Sequence, residues 1–131
     1  MARTVFHVDV NSAFLSWSAV QMLRNGYDTD LRLIPSAIGG DEEKRKGIVL
    51  AKSIPAKKYG VITGEPLWQA RKKCPELVIV PANYGLYSRM SSLFTEIIDH
   101  EFPVWQKYSV DECFIDCTGM EGIRGDPIQS A

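Results

Sequence analysis

The chain has 131 residues, 45% of them apolar, and a formal net charge of -1. This composition excludes a disordered polypeptide and is sufficient for the core of one compact domain, or of a piece of a larger protein. The balanced net charge also excludes a uniformly basic chain.

Basic residues are nevertheless concentrated in the middle third of the chain. They could face phosphate groups, or they could form a solvated surface balanced by nearby acids, and composition does not separate the two. The basic residues are Arg45, Lys46, Lys52, Lys57, Lys58, Arg71, Lys72 and Lys73, and the acids are Asp41, Glu42, Glu43 and Glu65.

The first half of the chain alternates strand and helix patterns. Residues 4–10 are typical of a β-strand, and Asn11 or Ser12 can cap a following helix that Gly26 ends. Further strands are expected at residues 31–38 and 47–53, with residues 41–46 as an exposed turn between them.

The second half contains a longer helix and a strand pair. Pro66 fits the first turn of a short helix reaching Lys73, and residues 77–80 fit a short edge strand. Apolar spacing predicts a long amphipathic helix from Tyr87 to about residue 102, covering one face of a sheet. Residues 105–109 and 113–117 are then predicted strands on either side of residues 110–112.

The cysteines and the N-terminus suggest a reduced intracellular setting. Cys74, Cys113 and Cys117 are odd in number and lack C-x-x-C spacing, so we expect reduced core residues. No signal-peptide pattern or long apolar stretch is present, which favours the cytoplasm and predicts no membrane partner.

Two adjacent carboxylates are the most informative feature of the chain. Asp111 and Glu112 lie within the apolar, strand-like residues 108–116. Neighbouring like charges in such a setting are costly unless a cation or basic partner compensates them. Asp9, at the end of the first predicted strand, could join them, although a helix-capping role would also explain it.

Three carboxylates of this kind suit two-metal phosphoryl transfer. In that chemistry one cation activates the attacking oxygen and another stabilises the leaving pyrophosphate. We expect Asp9 and Asp111 to bridge two Mg²⁺ ions, Glu112 to bind the ion nearer the nucleophile, and the Val10 carbonyl to assist. The free N–H groups of residues 11–14 could hold a triphosphate; Phe14 could line that site or be an ordinary helix residue.

Three sequence blocks together resemble one polymerase family. Residues 7–14 (HVDVNSAF), 56–61 (AKKYGV) with 64–66 (GEP), and 108–113 (YSVDEC) resemble the motifs of Y-family, or translesion, DNA polymerases. The similarity is to the UmuC-like (ImpB/MucB/SamB) branch. It covers residues 3–120, and the blocks occur in the family's order and spacing.

The resemblance implies template-directed nucleotidyl transfer from a dNTP to a primer 3′-OH during DNA damage tolerance or SOS-type repair. It implies two Mg²⁺ ions, replaceable by Mn²⁺, and a clash of the steric-gate residue Phe14 with a ribose 2′-OH. The implied metal ligands are Asp9, Val10, Asp111 and Glu112, and the implied nucleotide contacts are Ser12, Ala13, Phe14, Ser53 and Lys57.

Two residues depart from the family pattern. Ile54 and Lys57 stand where family members usually have a tyrosine and an arginine. Ile54 cannot donate a hydrogen bond, so we expect it to pack against the base or the core. Lys57 offers a compact charge instead of a planar fork, which loosens the expected phosphate contact.

The fold class implied by the resemblance is α+β, with a ferredoxin-like palm and a small inserted fingers subdomain. The palm would comprise residues 1–27 and 77–131, with a mixed, mainly antiparallel sheet and helices on one face, and the fingers residues 28–76. The resemblance implies that the family's thumb and little finger lie outside these residues. Because these regions grip primer–template DNA and could contact a sliding clamp, we expect the isolated chain to polymerise weakly or not at all.

Three other classes of protein share parts of this pattern. A nucleotidyl cyclase has a similar palm, but its Gly-Gly-Asp-Glu hairpin is missing. An aspartyl phosphatase would need an acid where Asn11 stands. A noncatalytic module could bind nucleic acid or a protein partner through Arg45, Lys46 and residues 71–73, and its binding would be independent of metal.

Overall fold

A computed structural model describes residues 3–40 and 47–120. These residues fold into two compact units: the first comprises the chain up to Val10 and from Ser88 onward, and the second is Asn11–Tyr87. The strands are β1 Val5–Asp9, β2 Ser36–Gly39, β3 Val49–Lys52, β4 Val78–Pro81, β5 Trp105–Ser109 and β6 Glu112–Asp116. The helices are α1 Ala13–Arg24, α2 Ile54–Lys58, α3 Leu67–Lys73 and α4 Tyr84–Glu101, with a 3₁₀ turn at Leu31–Leu33.

The first unit is built on an antiparallel sheet with the strand order β1-β6-β5. Strand pairing runs from Val5 opposite Asp116 to Asp9 opposite Glu112. Alternate side chains of β6 are buried, as expected for a strand with one covered face. That face packs in a core with helix α4, and the core consists of Phe6, Val8, Phe94, Ile98, Phe102, Trp105, Cys113, Ile115, Cys117 and Met120.

The second unit has a mixed sheet in which β2 lies between β3, antiparallel to it, and β4, parallel to it. Its main core joins this sheet to α2 and α3 and contains Ala37, Val49, Ala56, Val61, Leu67, Ala70, Cys74 and Leu77. Gly39 permits this packing, because a Cβ atom there would lie 2.6 Å from the Leu67 side chain. A larger residue would therefore force the Leu67 side chain to move.

The predicted α+β class is confirmed, and the strands form two three-stranded sheets. The division into palm and fingers at residues 28 and 77 stays a prediction. The strand expected over residues 31–38 is wrong in its first half, where the Asp30 side chain accepts the N–H of Arg32 and begins a 3₁₀ turn. Helix α2 was not expected. The turn predicted at residues 41–46 lies outside the described residues.

The long helix, the β5–β6 pair and the cysteines agree with the sequence predictions. Cys74, Cys113 and Cys117 are free and buried. Burial raises the pKa of the Cys113 thiol, as expected for an inert core residue. No helix among the described residues combines the length and apolar character needed to cross a membrane.

Candidate active site

Strand pairing brings the three predicted acids to one end of the first unit's sheet. Asp9 lies directly opposite Glu112 in the β1–β6 ladder. Beyond the ladder, the Val10 N–H donates a 3.0 Å hydrogen bond to the Asp111 carbonyl oxygen. The sheet therefore brings residues that are distant in sequence into adjacent positions.

The acids interact electrostatically. Partial desolvation and then repulsion from Asp111 and Glu112 raise the pKa of Asp9 above its ordinary value, while His7 opposes the rise. A raised carboxyl pKa means that the charged form lacks compensation. Such a site favours a nearby cation.

Two side chains hold Glu112. The Nε2–H of His7 donates to Oε1 of Glu112 at 3.1 Å, and the Ser109 hydroxyl lies 2.7 Å from the other oxygen, Oε2. The same hydroxyl is 3.1 Å from Oδ1 of Asp111. Because a hydroxyl has one proton, Ser109 donates to one of the two carboxylates at a time.

In this arrangement, no three His, Cys, Asp or Glu side chains within residues 3–40 and 47–120 converge as a ready metal-ligand group. The donor chemistry nevertheless fits a hard divalent cation, because Asp9 and Glu112 on adjacent strands, and Asp111 in the turn before β6, offer carboxylate oxygens. The raised pKa of Asp9 points to the same need for positive charge. The residues present therefore fit Mg²⁺ or Mn²⁺.

All five predicted nucleotide contacts lie in the second unit. Ser12 occupies the N-cap position of α1 in a left-handed conformation (φ 45°), and its side chain makes no capping hydrogen bond. Its carbonyl accepts the N–H of Ser16, whose hydroxyl donates to the Asn11 carbonyl. Capping by an Asn11 or Ser12 side chain is therefore wrong. Ala13, the first residue of the helix, is buried.

Phe14 belongs to an aromatic cluster that sequence reasoning missed. Its ring stacks on Tyr87 with centroids 4.4 Å apart and planes within 6°. The buried Tyr87 hydroxyl lies 2.7 Å from that of Ser18, within hydrogen-bond distance. Tyr84 meets the Phe14 ring edge-on. The helical spacing had placed Tyr87 on an apolar face but gave no signal of its partner.

Ser53 has a structural role. Its hydroxyl donates to the Ile34 carbonyl and accepts the N–H groups of Ser36 and Ala56. These bonds use its proton and both lone pairs, and the residue is 2% exposed.

Lys57 lies exposed on α2. Ile54 is 71% exposed, so it does not pack against the core, and packing against the base stays a prediction.

The fold and the acids together define a class: an α+β protein with three carboxylates at one end of an antiparallel sheet. Comparison with known proteins makes this more specific. The chain belongs to the impB/mucB/samB family, whose profile matches residues 8–131.

The chain is 53% identical over 128 residues to a DNA polymerase IV of Clostridium acetobutylicum, covering 95% of this chain and 32% of that protein. A DNA polymerase IV of Acetivibrio thermocellus is 40% identical over 126 residues, covering 96% of this chain and 30% of that protein. The chain therefore spans about a third of the length of these curated relatives.

Solved structures share the fold. A Y-family DNA polymerase chimera matches with a TM-score of 0.79 and 22% identity, covering 93% of this chain and 34% of that one. DinB from Sulfolobus solfataricus matches with a TM-score of 0.76 and 21% identity, over 96% of this chain and 34% of that one.

Proposed function

We propose that the chain contributes the catalytic carboxylates of a translesion DNA polymerase, which transfers nucleotides from dNTPs to a primer 3′-OH opposite a damaged template. The observation that carries this proposal is the placement of Asp9, Asp111 and Glu112 at neighbouring positions at one end of the β1–β6 ladder. The polymerase names of the relatives support it. Access to chromosomal DNA would place the protein in the cytoplasm.

Asp9, Asp111, Glu112 and the Val10 carbonyl would hold two Mg²⁺ ions. When bound, such ions activate an attacking hydroxyl and stabilise a departing pyrophosphate. The role of the chain's own residues is to fix the carboxylates: the β1–β6 ladder sets the backbone of Asp9 and Glu112, and the Val10–Asp111 hydrogen bond fixes the turn between β5 and β6.

For the nucleotide, we propose that the amides of Ser12, Ala13 and Phe14 meet the triphosphate at the start of α1. The free N–H groups and dipole of a helix N-terminus favour an anion there. The Phe14 ring, supported by Tyr87, would select deoxyribose by excluding a 2′-OH. Lys57 would contact phosphate as a point charge, and Ser53 would act only by anchoring α2.

Metal binding by the chain tests this proposal. We expect isothermal titration calorimetry to show saturable Mn²⁺ binding that weakens at least about tenfold in Asp9→Asn and in Asp111→Asn. Glu96→Gln, which changes an exposed carboxylate on α4, is the matched control and should bind like wild type. Unchanged affinity in both Asp variants would reject the metal site and favour the noncatalytic module.

A further inference from the structure

We infer that His7 and Ser109 are positioning residues, which hold the Glu112 carboxylate in the orientation needed for metal binding. The inference rests on the proposed function, because it assigns Glu112 to the metal site. It adds two residues that act through Glu112 and need not touch the ion.

The contacts on Glu112 are complementary. His7 occupies Oε1 at 3.1 Å and Ser109 occupies Oε2 at 2.7 Å, so each oxygen has a separate donor. The Glu112 side chain is 25% exposed. A glutamate with both oxygens held loses the rotational freedom of its long side chain before a ligand arrives.

The His7 donor is itself fixed. Its ring stacks on Phe114, the residue opposite it in the β1–β6 ladder, with centroids 4.7 Å apart and planes within 22°. Tyr108 packs edge-on against the Phe114 ring, with the ring centroids 5.6 Å apart. The row of rings holds the imidazole beside Glu112.

The donors leave room for a cation. An ionised carboxylate has about four lone-pair positions, so one donor on each oxygen leaves acceptor capacity on both. Hydrogen bonds of this kind orient metal-binding carboxylates, and their loss typically lowers metal affinity 10- to 100-fold. Ser109 also lies 3.1 Å from Oδ1 of Asp111, so its hydroxyl can hold either carboxylate, one at a time.

Two conservative variants isolate the hydrogen bonds. His7→Phe keeps a ring to stack on Phe114 and removes the N–H, and Ser109→Ala removes only the hydroxyl. We expect each to weaken Mn²⁺ binding about tenfold in calorimetry, and Ser109→Thr to restore it. The matched controls are His100→Phe and Ser92→Ala, at exposed positions of α4, which should bind like wild type.

A double-mutant cycle separates positioning from a general effect on the fold. In a Glu112→Ala background, His7→Phe should cause no further loss, because its target is gone, and Ser109→Ala should cause a smaller loss than in wild type, because its hydroxyl then has only Asp111 to hold. A merely structural role would lower the affinity by the same factor in both backgrounds and would overturn the inference. Circular dichroism melts of every variant verify that each is folded.

The outcomes also distinguish this inference from the proposed function. If Glu112→Ala binds Mn²⁺ weakly while His7→Phe and Ser109→Ala bind like wild type or more tightly, positioning is wrong and the metal site stands. If Glu112→Ala binds like wild type, Glu112 is not a ligand and both proposals lose their basis. Loss in both single variants that is absent for His7→Phe and smaller for Ser109→Ala in the Glu112→Ala background supports positioning.

Discussion

At the scale of single residues, Glu65 shows that a family-like sequence block can serve the fold. Its buried carboxylate accepts a 2.8 Å hydrogen bond from Lys73 Nζ and a 2.9 Å bond from the Ile62 N–H. Desolvation alone would raise the pKa of Glu65, but Lys73 and then the Ile62 N–H outweigh it and lower the pKa below 4.5. The ionised form is therefore favoured in the folded state.

A lowered pKa predicts a pH-dependent contribution to stability. The contribution is complete above the unfolded pKa and is lost as the pH falls through the lower folded value. We predict that Glu65→Gln lowers the free energy of unfolding by about 2 kcal/mol at neutral pH. Urea denaturation at several pH values should show the difference from wild type shrinking below about pH 4.5. A difference that does not change with pH would contradict this assignment.

Sequence patterns singled out each of the three acids, but not the residues that contact Glu112. Asp111 and Glu112 stood out because apolar neighbours make an acidic pair costly, and Asp9 because it ends a strand. His7 and Ser109 gave no such signal. They reach Glu112 only through strand register and side-chain orientation, which a single sequence does not encode visibly.

At the scale of elements, helix α2 is anchored by the hydroxyl group of Ser53. The helix has five residues and includes Pro55 in its first turn. So short a helix is not stable alone, and the Ser53 side chain ties it to the Ile34 carbonyl and the Ser36 N–H. Helix α2 was not predicted because five residues show too little periodicity.

We predict that Ser53→Ala lowers the free energy of unfolding by about 2 kcal/mol, because the N–H groups of Ser36 and Ala56 lose a buried acceptor. Urea denaturation followed by circular dichroism measures the change. Ser92→Ala, at an exposed position of α4, is the control and should differ little from wild type. A Ser53→Ala protein as stable as this control would show that the hydroxyl does not anchor α2.

At the scale of the molecule, strand patterns were easier to predict than strand partners. A strand-like run at residues 113–117 predicted β6, and apolar spacing predicted α4. The separation of β2, β3 and β4 into a second sheet was not visible, since the parallel β2–β4 pair joins segments about forty residues apart. The family resemblance predicted the fold class, and local sequence patterns predicted most of the helices and strands.

The proposed polymerase can be tested at the same scale by a chimera. The chain spans 32% of the Clostridium acetobutylicum relative, so replacing the matching part of that protein with this chain supplies the remaining two-thirds. We predict Mg²⁺-dependent primer extension by the chimera and far weaker extension by the chain alone. In the Asp111→Asn chimera the rate of extension should fall at least about a hundredfold, because removing a metal ligand should cost no less than removing a residue that supports one. The Glu96→Gln chimera controls for the substitution of an acid. Equal extension by the Asp111→Asn and Glu96→Gln chimeras would mean that the acids at the end of the β1–β6 ladder are not the catalytic group.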